Sequence, residues 1–278
     1  MSEIDLTTAE THFAFGRNWA SYAQSVTEVE IKEAEVGLLR LLGGHSPQAT
    51  RFLDIGSGSG LHSLAALRLG ARHVHAVDID KDSVDTTQAL LSRFAQDRDW
   101  RAECASVFDL TPESLGEFDV VYSWGVLHHT GDLDRALRCA TRLVRHGGLF
   151  VFALYRRILA DFFWRIEKRW YAHASQGQQA RARAVYRALF RVGLRLTGRR
   201  FEDYVAGYRS NRGMDFEHDV HDWMGGWPYE SITPEEVEAL MRVLGFERVR
   251  SFAGRGRFLG RHTGIFGSGC DEFVYRRL

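Results

Sequence analysis

The sequence Phe52-Leu53-Asp54-Ile55-Gly56-Ser57-Gly58-Ser59-Gly60 joins a short apolar run to three alternating glycines. The apolar run predicts a buried β-strand, and the Ala/Leu-rich residues 61–69 after the glycines predict a helix. Glycine lets the backbone turn sharply and lets a ligand approach the main chain closely. This strand–turn–helix therefore predicts a nucleotide-type cofactor at the carboxyl end of the strand. An ordinary tight turn between a strand and a helix is the structural alternative.

Strands and helices alternate on both sides of this loop. The sequence predicts seven strands in chain order: Arg51–Ile55, His73–Ile79, Arg101–Ser106, Phe118–Trp124, Leu149–Tyr155, Phe246–Phe252 and Glu272–Arg276. Residues 61–69, 83–95 and 133–144 are predicted helices between them, and residues 11–42 a helical region before them. Apolar strands separated by helices indicate a parallel sheet covered on both faces.

The alternation is interrupted between residues 156 and 230. Residues 156–213 have helical periodicity, whereas 214–230 show none and are predicted to form a loop. The pattern resumes at Thr233-Pro234-Glu235-Glu236, which is typical of a helix start. We therefore predict an N-terminal helical cap (1–45), an α/β core (46–155 and 231–278) and an insertion (156–230) that forms a substrate lid.

Two carboxylates narrow the ligand class. The glycine spacing is GxGxG, with Leu61 where a dinucleotide fingerprint needs a small residue, and no Lys-Ser/Thr pair follows as in a P-loop. Asp54 precedes the glycines, where a carboxylate suits a cationic ligand better than a pyrophosphate. Asp78 ends the second strand about 20 residues further on, where an acid can accept hydrogen bonds from ribose hydroxyls.

The segments FLDIGSGSG, VHAVDID, FDVVYSWGVLHH and GGLFVFALY, in this order, resemble the class I S-adenosylmethionine-dependent methyltransferases. The resemblance covers about residues 50–155 and returns at 233–277. It implies a Rossmann-like, seven-stranded α/β fold with six parallel strands and one antiparallel strand, a helical insertion after the fifth strand and an N-terminal helical lid. The implied cofactor is S-adenosyl-L-methionine, with S-adenosyl-L-homocysteine as product.

The resemblance also implies roles for individual residues. Asp78 binds the ribose hydroxyls, Ile79 packs on adenine, and Ser106 and Val107 flank the adenine edge. Many relatives carry an Asp where Ser106 stands, so the nearby Asp109 is the candidate that would replace it in binding the adenine amine. The remaining cofactor residues fall into three groups: the methionine site (Asp54, Gly56, Ser57, Gly58, Gly60), the wall after the fourth strand (Ser123, Trp124, Gly125) and the lid (Trp19, Tyr22).

Histidines supply the candidates for acid–base catalysis. His128 follows the fourth strand, and His218 and His221 lie in the dense polar segment 214–230. For His129 we favour a structural role. The HDVHD sequence at 218–222 has metal-like spacing, but no metal is expected. The predicted substrate residues are Arg209, Arg212, Trp223, Trp227 and Tyr229, an arrangement that suits an anionic ring compound. A loop that merely docks on the sheet is the alternative.

Composition limits the classes of partner. The chain has 278 residues with 36 basic and 36 acidic side chains, so its overall charge does not favour nucleic acid. Three sparse cysteines, an acidic start and the lack of a long apolar run predict a soluble cytoplasmic protein. Residues 156–213 hold 14 Arg or Lys against four Asp or Glu, interleaved with aromatic side chains. The basic side chains are consistent with solvated helix faces, an anionic substrate or an acidic partner. The interleaved apolar side chains are consistent with packing on the core, a homodimer face or contact with a membrane surface.

These observations favour a methyltransferase that acts on an O or N nucleophile of a small molecule, a quinone-like, sugar-like or other specialised metabolite. A methyltransferase acting on RNA or protein is one alternative. A non-catalytic regulator that binds the cofactor is another.

Overall fold

The computed structural model describes residues 13, 15–208, 216–254 and 269–278. Its centre is a seven-stranded sheet in the order β3-β2-β1-β4-β5-β7-β6. The strands are β1 (Arg51–Ile55), β2 (His73–Asp78), β3 (Trp100–Cys104), β4 (Phe118–Trp124), β5 (Val144–Tyr155), β6 (Phe246–Phe252) and β7 (Cys270–Arg277). β7 runs antiparallel to both of its neighbours, and the other strand pairs are parallel. The predicted fold class is confirmed.

Helices cover both faces of the sheet. In chain order they are α1 (Phe15–Gln24), α2 (Glu28–Leu41), α3 (Leu61–Arg68), α4 (Lys81–Phe94), α5 (Pro112–Leu115), α6 (Leu133–Arg142), α7 (Asp161–His173), α8 (Gln176–Leu196), α9 (Phe201–Ala206), α10 (Phe216–Gly225) and α11 (Pro234–Val243). Phe52 packs with α2, α3 and α4 on one face, and its neighbour Leu53 packs with α6 and α11 on the other. Alternation along β1 thus divides the core into two layers.

Two helix boundaries differ from the sequence prediction. The N-terminal helical region is two helices, because Thr27 begins α2 with a capping box in which Glu30 accepts a hydrogen bond from the Thr27 main-chain N–H. The predicted helix 133–144 ends at Arg142, and Val144 already belongs to β5. β5 continues through Gly147 and Gly148 to Tyr155.

The prediction of a loop over 214–230 is wrong for residues 216–225, which form α10. Phe216, Val220 and Met224 recur one turn apart and pack in one apolar cluster with Phe13 and Tyr171. Acidic side chains in the first turn of α10 also suit the positive end of the helix dipole. The dense polar and aromatic composition concealed this short apolar stripe, which tertiary packing stabilises.

Candidate functional site

The glycine loop closes over the carboxyl end of β2. The main-chain N–H groups of Gly56 and Ser57 donate hydrogen bonds to the Val77 carbonyl oxygen at 2.8 and 3.1 Å. Gly56 has φ +77°, a left-handed conformation that favours glycine, and a Cβ there would overlap the Val126 side chain. The loop therefore has this path because its residue 56 is glycine.

Asp78 fixes the same loop from the second strand. Its Oδ2 accepts a hydrogen bond from the Gly58 N–H at 2.9 Å, and its Oδ1 accepts one from the Asp80 N–H at 3.0 Å. Burial raises the pKa of Asp78 to about 6, although these two hydrogen bonds favour the ionised form. Near neutral pH Asp78 is therefore largely ionised, and its oxygens retain lone pairs that can accept hydrogen bonds from a ligand in the cavity.

Asp54 is the second buried carboxyl group of the loop. The Ser63 hydroxyl donates a hydrogen bond to it at 2.6 Å. Burial raises the pKa of Asp54 to about 7, and the charge of Asp78 adds to this effect. A cationic ligand next to Asp54 would stabilise the ionised form, so the site favours positive charge.

A cavity of about 870 Å³ extends from the glycine loop to the insertion. This volume lies within the range of small-molecule sites. Twelve of the predicted cofactor residues line it: Trp19, Tyr22, Asp54, Gly56, Ser57, Gly58, Asp78, Ile79, Ser106, Val107, Trp124 and Gly125. The structure thus brings residues from the lid, the glycine loop and three strand ends to one cavity.

Two other predicted cofactor residues, and the nearby Asp109, lie outside this lining. Gly60 precedes α3 with φ +78°, packed against Thr87. Ser123 is fully buried, and its hydroxyl donates to the Ile55 carbonyl oxygen at 3.0 Å, which links β4 to β1. Asp109 donates its main-chain N–H to the Ser106 carbonyl oxygen. The geometry of Gly60 and Ser123 shapes the loop and the sheet rather than the cavity wall.

The insertion forms the far end of the cavity, here called the aromatic lobe. Its aromatic walls are Tyr155, Trp164, Tyr186, Phe190, Tyr204, Tyr208, Phe216 and Trp223. On α10 the helical period brings Phe216, Asp219, Val220 and Trp223 to this side, together with Asp222. The aromatic lobe offers flat apolar walls with two carboxyl groups, which suits a ring that carries hydroxyl or amino groups.

Helix α1 connects the two ends of the cavity. Trp19 lies against Gly58, and the Gly16 N–H donates to Asp80 Oδ2 at 2.9 Å. Asn18 Nδ2 donates to Asp222 Oδ1 at 2.7 Å, and burial raises the pKa of Asp222 well above its usual value. Helix α1 thus contacts both the glycine loop and a carboxyl group of the aromatic lobe.

The three histidines predicted to be catalytic do not line the cavity. His221 Nδ1 accepts hydrogen bonds from Tyr171 Oη at 2.7 Å and Arg183 at 3.0 Å, and burial together with the Arg183 charge lowers its pKa to about 4. His218 Nε2 lies 3.2 Å from the Ser21 hydroxyl. His128 is fully buried, and its Nδ1 accepts the Tyr155 N–H at 3.3 Å. Burial also lowers the pKa of His128 well below its usual value.

His129 is the histidine of this pair that lines the cavity, which the sequence analysis missed. Its Nδ1 lies 2.7 Å from the Pro228 carbonyl oxygen. A carbonyl oxygen can only accept, so Nδ1 carries the proton and Nε2 is the basic nitrogen of the neutral ring. Both histidines lie buried in the 3-10 turn Leu127–His129, and only the three-dimensional packing shows which of them reaches the cavity.

The predicted substrate residues separate into three groups. Trp223 lines the aromatic lobe. Tyr229 is buried and donates its hydroxyl to Asp161 at 3.0 Å, and Trp227 lies under the Arg169 guanidinium; neither belongs to the lining. Arg209 and Arg212 lie outside the described residues. Within the described part of the chain, no cluster of three His, Cys, Asp or Glu residues is arranged to hold a metal ion.

This strand order, with a glycine loop after β1 and an acid at the end of β2, defines the class I S-adenosylmethionine-dependent methyltransferase fold. The family model described as a methyltransferase domain matches residues 53–152. Residues 53–152 therefore match a methyltransferase domain, and they lie in a sheet with the class I strand order.

Curated relatives match about two fifths of the chain. The chain is 33% identical over 116 residues to a ubiquinone biosynthesis O-methyltransferase of Xanthomonas axonopodis pv. citri (strain 306). This match covers 42% of this chain and 47% of that protein. The chain is 34% identical over 117 residues to the enzyme of the same name from Caulobacter sp. (strain K31), covering 42% and 45%. The matches span about half the length of these relatives.

Solved structures share the fold over a longer stretch. A magnesium protoporphyrin IX methyltransferase from Synechocystis PCC 6803 with bound SAH aligns with a TM-score of 0.52 at 13% identity, over 90% of this chain and 84% of that one. An S-adenosylmethionine-dependent methyltransferase from Mesorhizobium loti aligns with a TM-score of 0.52 at 18% identity, over 88% and 98%. At such identities the likeness concerns the fold alone.

Proposed function

We propose that this protein transfers the methyl group of S-adenosyl-L-methionine to an O or N nucleophile of a small ring compound. The observation that carries this proposal is the single cavity that joins the glycine loop to the aromatic lobe. Asp78 would accept hydrogen bonds from the ribose hydroxyls, and Asp54 would face the positively charged methionine end. The twelve predicted cofactor residues that line the cavity support this orientation of the cofactor.

The aromatic lobe would hold the acceptor. Of the described insertion residues that line the cavity, two carry carboxyl groups, Asp219 and Asp222, and none is basic. We therefore infer an uncharged or cationic acceptor rather than an anionic one. The relatives named for ubiquinone biosynthesis support a phenol-like ring, since aromatic walls favour flat apolar ligands.

Methyl transfer from a sulfonium is an in-line displacement, so positioning of the nucleophile and exclusion of water supply most of the catalysis. A hydroxyl nucleophile must also lose its proton. His129 Nε2 would accept that proton, because the hydrogen bond of Nδ1 to the Pro228 carbonyl oxygen leaves Nε2 as the basic nitrogen. Asp222, with its raised pKa and its hydrogen bond from Asn18, would orient the acceptor as a neutral carboxyl group.

The test is transfer of a labelled methyl group from S-adenosylmethionine to a panel of phenols, quinols and aromatic amines. We expect a labelled product and an equal amount of S-adenosylhomocysteine. For a hydroxyl acceptor, His129→Ala should lower kcat roughly 100-fold or more while cofactor affinity stays unchanged. His221→Ala is the matched control, since His221 lies outside the cavity lining, and it should keep wild-type turnover.

Two results would contradict the proposal. Tight cofactor binding without product from any acceptor class would favour the regulatory alternative, and product from RNA or protein alone would favour a macromolecular substrate. Equal turnover of wild type and His129→Ala with a phenol would remove His129 as the base.

We also propose that the protein works in the cytoplasm. Cys104 and Cys139 form no disulfide, which supports a reducing compartment. No helix in the described ranges is long and apolar enough to cross a membrane.

A further inference from the structure

Helix α7 presents apolar side chains to solvent. Phe162 and Phe163 are 70% and 74% exposed, Ile166 is 54% exposed and Trp170 is 48% exposed. At about 200 Å² for a large aromatic side chain, the three aromatic residues alone expose roughly 400 Å². An apolar patch of this size on a protein surface marks an interaction site.

The exposed patch is not required by the packing of α7. The opposite side of the same helix is buried through Lys168 and Tyr171, and Trp164 lines the cavity. Phe162, Ile166 and Trp170 recur at intervals of four residues, so they lie along one face. α7 is thus apolar on two faces, and the described chain covers one of them.

The charges beside this patch have one sign. The other exposed residues of α7 are Arg165, Arg169 and His173. The acids of this helix lie elsewhere: Asp161 accepts hydrogen bonds from Tyr229 and Ser231, and Glu167 is half-buried. The exposed surface of α7 is therefore apolar and basic.

Helix α8 continues this character. Its sequence, Gln176–Leu196, contains no acidic residue. Its exposed apolar residues recur at intervals of three or four: Val185, Leu189, Val192 and Leu196. Arg181 and Arg195 are exposed on the same helix, whereas the exposed Arg187 and Arg191 pair with Glu217 and Glu202 of neighbouring helices. Apolar side chains flanked by arginine, without acids, are the pattern of helices that lie in the interface of an anionic membrane.

We propose that α7 and α8 dock this protein on the surface of an anionic phospholipid bilayer. The apolar side chains of α7 enter the boundary between headgroups and acyl chains, and Arg165 and Arg169 contact the lipid phosphates. A second copy of this chain is a poorer occupant, because two such faces would place arginine against arginine. Since Trp164 lies on α7, the helix that meets the lipid also forms a wall of the cavity.

The experiment is co-sedimentation of the full chain with vesicles. Vesicles of equimolar phosphatidylglycerol and phosphatidylcholine are compared with vesicles of phosphatidylcholine alone. We expect binding to the anionic vesicles that weakens with added salt. The double variant Phe162→Ser/Phe163→Ser should weaken this binding roughly tenfold or more, and Arg165→Glu/Arg169→Glu should do the same.

The matched control changes exposed apolar residues elsewhere. Val29 and Val243 are 62% and 77% exposed on α2 and α11, so Val29→Ser/Val243→Ser removes apolar surface without touching α7. This control should bind vesicles like wild type. Thermal unfolding checks that all variants are folded.

Three outcomes would overturn the proposal. One is a wild-type protein that does not co-sediment with anionic vesicles. A second is equal loss of binding in the Val29/Val243 control. The third is light scattering that shows a dimer which the Phe162/Phe163 variant converts to a monomer, because the patch would then be a subunit interface.

Discussion

Replacing Asp78 with asparagine tests the cofactor site with a minimal change of shape. Both carboxylate oxygens already accept a main-chain hydrogen bond, from Gly58 at 2.9 Å and Asp80 at 3.0 Å. A ribose diol would add two more hydrogen bonds, each worth about 1.5–3 kcal/mol when the acceptor is charged. Asparagine keeps one acceptor oxygen, so we expect a loss of roughly 2–4 kcal/mol, or about 30- to 700-fold in Kd.

Isothermal titration calorimetry with S-adenosylmethionine and S-adenosylhomocysteine measures this loss. The titration should be done above pH 7, because the pKa of Asp78 is about 6 and only the ionised group binds strongly. Wild-type affinity should fall as the pH drops below 6. Asp85→Asn is the matched control, since Asp85 is an exposed carboxylate on α4 that pairs with Lys81. Unchanged affinity in a folded Asp78→Asn protein would refute the ribose assignment.

Three further perturbations follow from the same geometry. Burial raises the pKa of Asp54 to about 7, and a positively charged cofactor favours the ionised form. Cofactor binding at pH 6.5 should therefore release protons, which calorimetry detects as a binding heat that changes with the ionisation enthalpy of the buffer. A binding heat that is the same in all buffers would contradict this. Gly56→Ala should lower both Tm and cofactor affinity because its Cβ meets Val126 at positive φ; Val126→Ala should partly rescue it, and a lack of rescue would argue against steric overlap. Burial lowers the pKa of Lys168, so the unfolded chain binds this proton more tightly and the free energy of unfolding should rise with pH above neutrality. Chemical denaturation at pH 7 and pH 9 should show a smaller rise for Lys168→Met than for wild type. An equal rise in both proteins would exclude Lys168 as its source.

The core of the fold was predictable because its signals are local. The run before Gly56 is apolar on both sides of the strand, so β1 had to be buried on both faces, and the glycines set the turn that follows. The antiparallel β7 followed from the family resemblance. α10 was not predictable, since its stripe of Phe216, Val220 and Met224 is interrupted by charged and aromatic residues and depends on contacts with distant parts of the chain.

The candidate site was predictable on the cofactor side and less so on the acceptor side. Asp78 stands at a strand end, and strand ends of a parallel sheet meet at one edge. On α10, by contrast, the direction of each side chain depends on the rotation of the helix. That rotation turns Asp219 and Asp222 toward the cavity and turns His221 toward Arg183. The same limit applies to His128 and His129, which are neighbours in sequence but differ in their access to the cavity.

A crystal structure with S-adenosylhomocysteine would show in one measurement how the cavity is divided between cofactor and acceptor. We expect the ligand in the cavity at the glycine loop, with both ribose hydroxyls on Asp78 and the homocysteine sulfur open toward His129 and the aromatic lobe. Failure to bind at millimolar ligand, or a sulfur atom facing away from the aromatic lobe, would contradict the proposed methyl transfer.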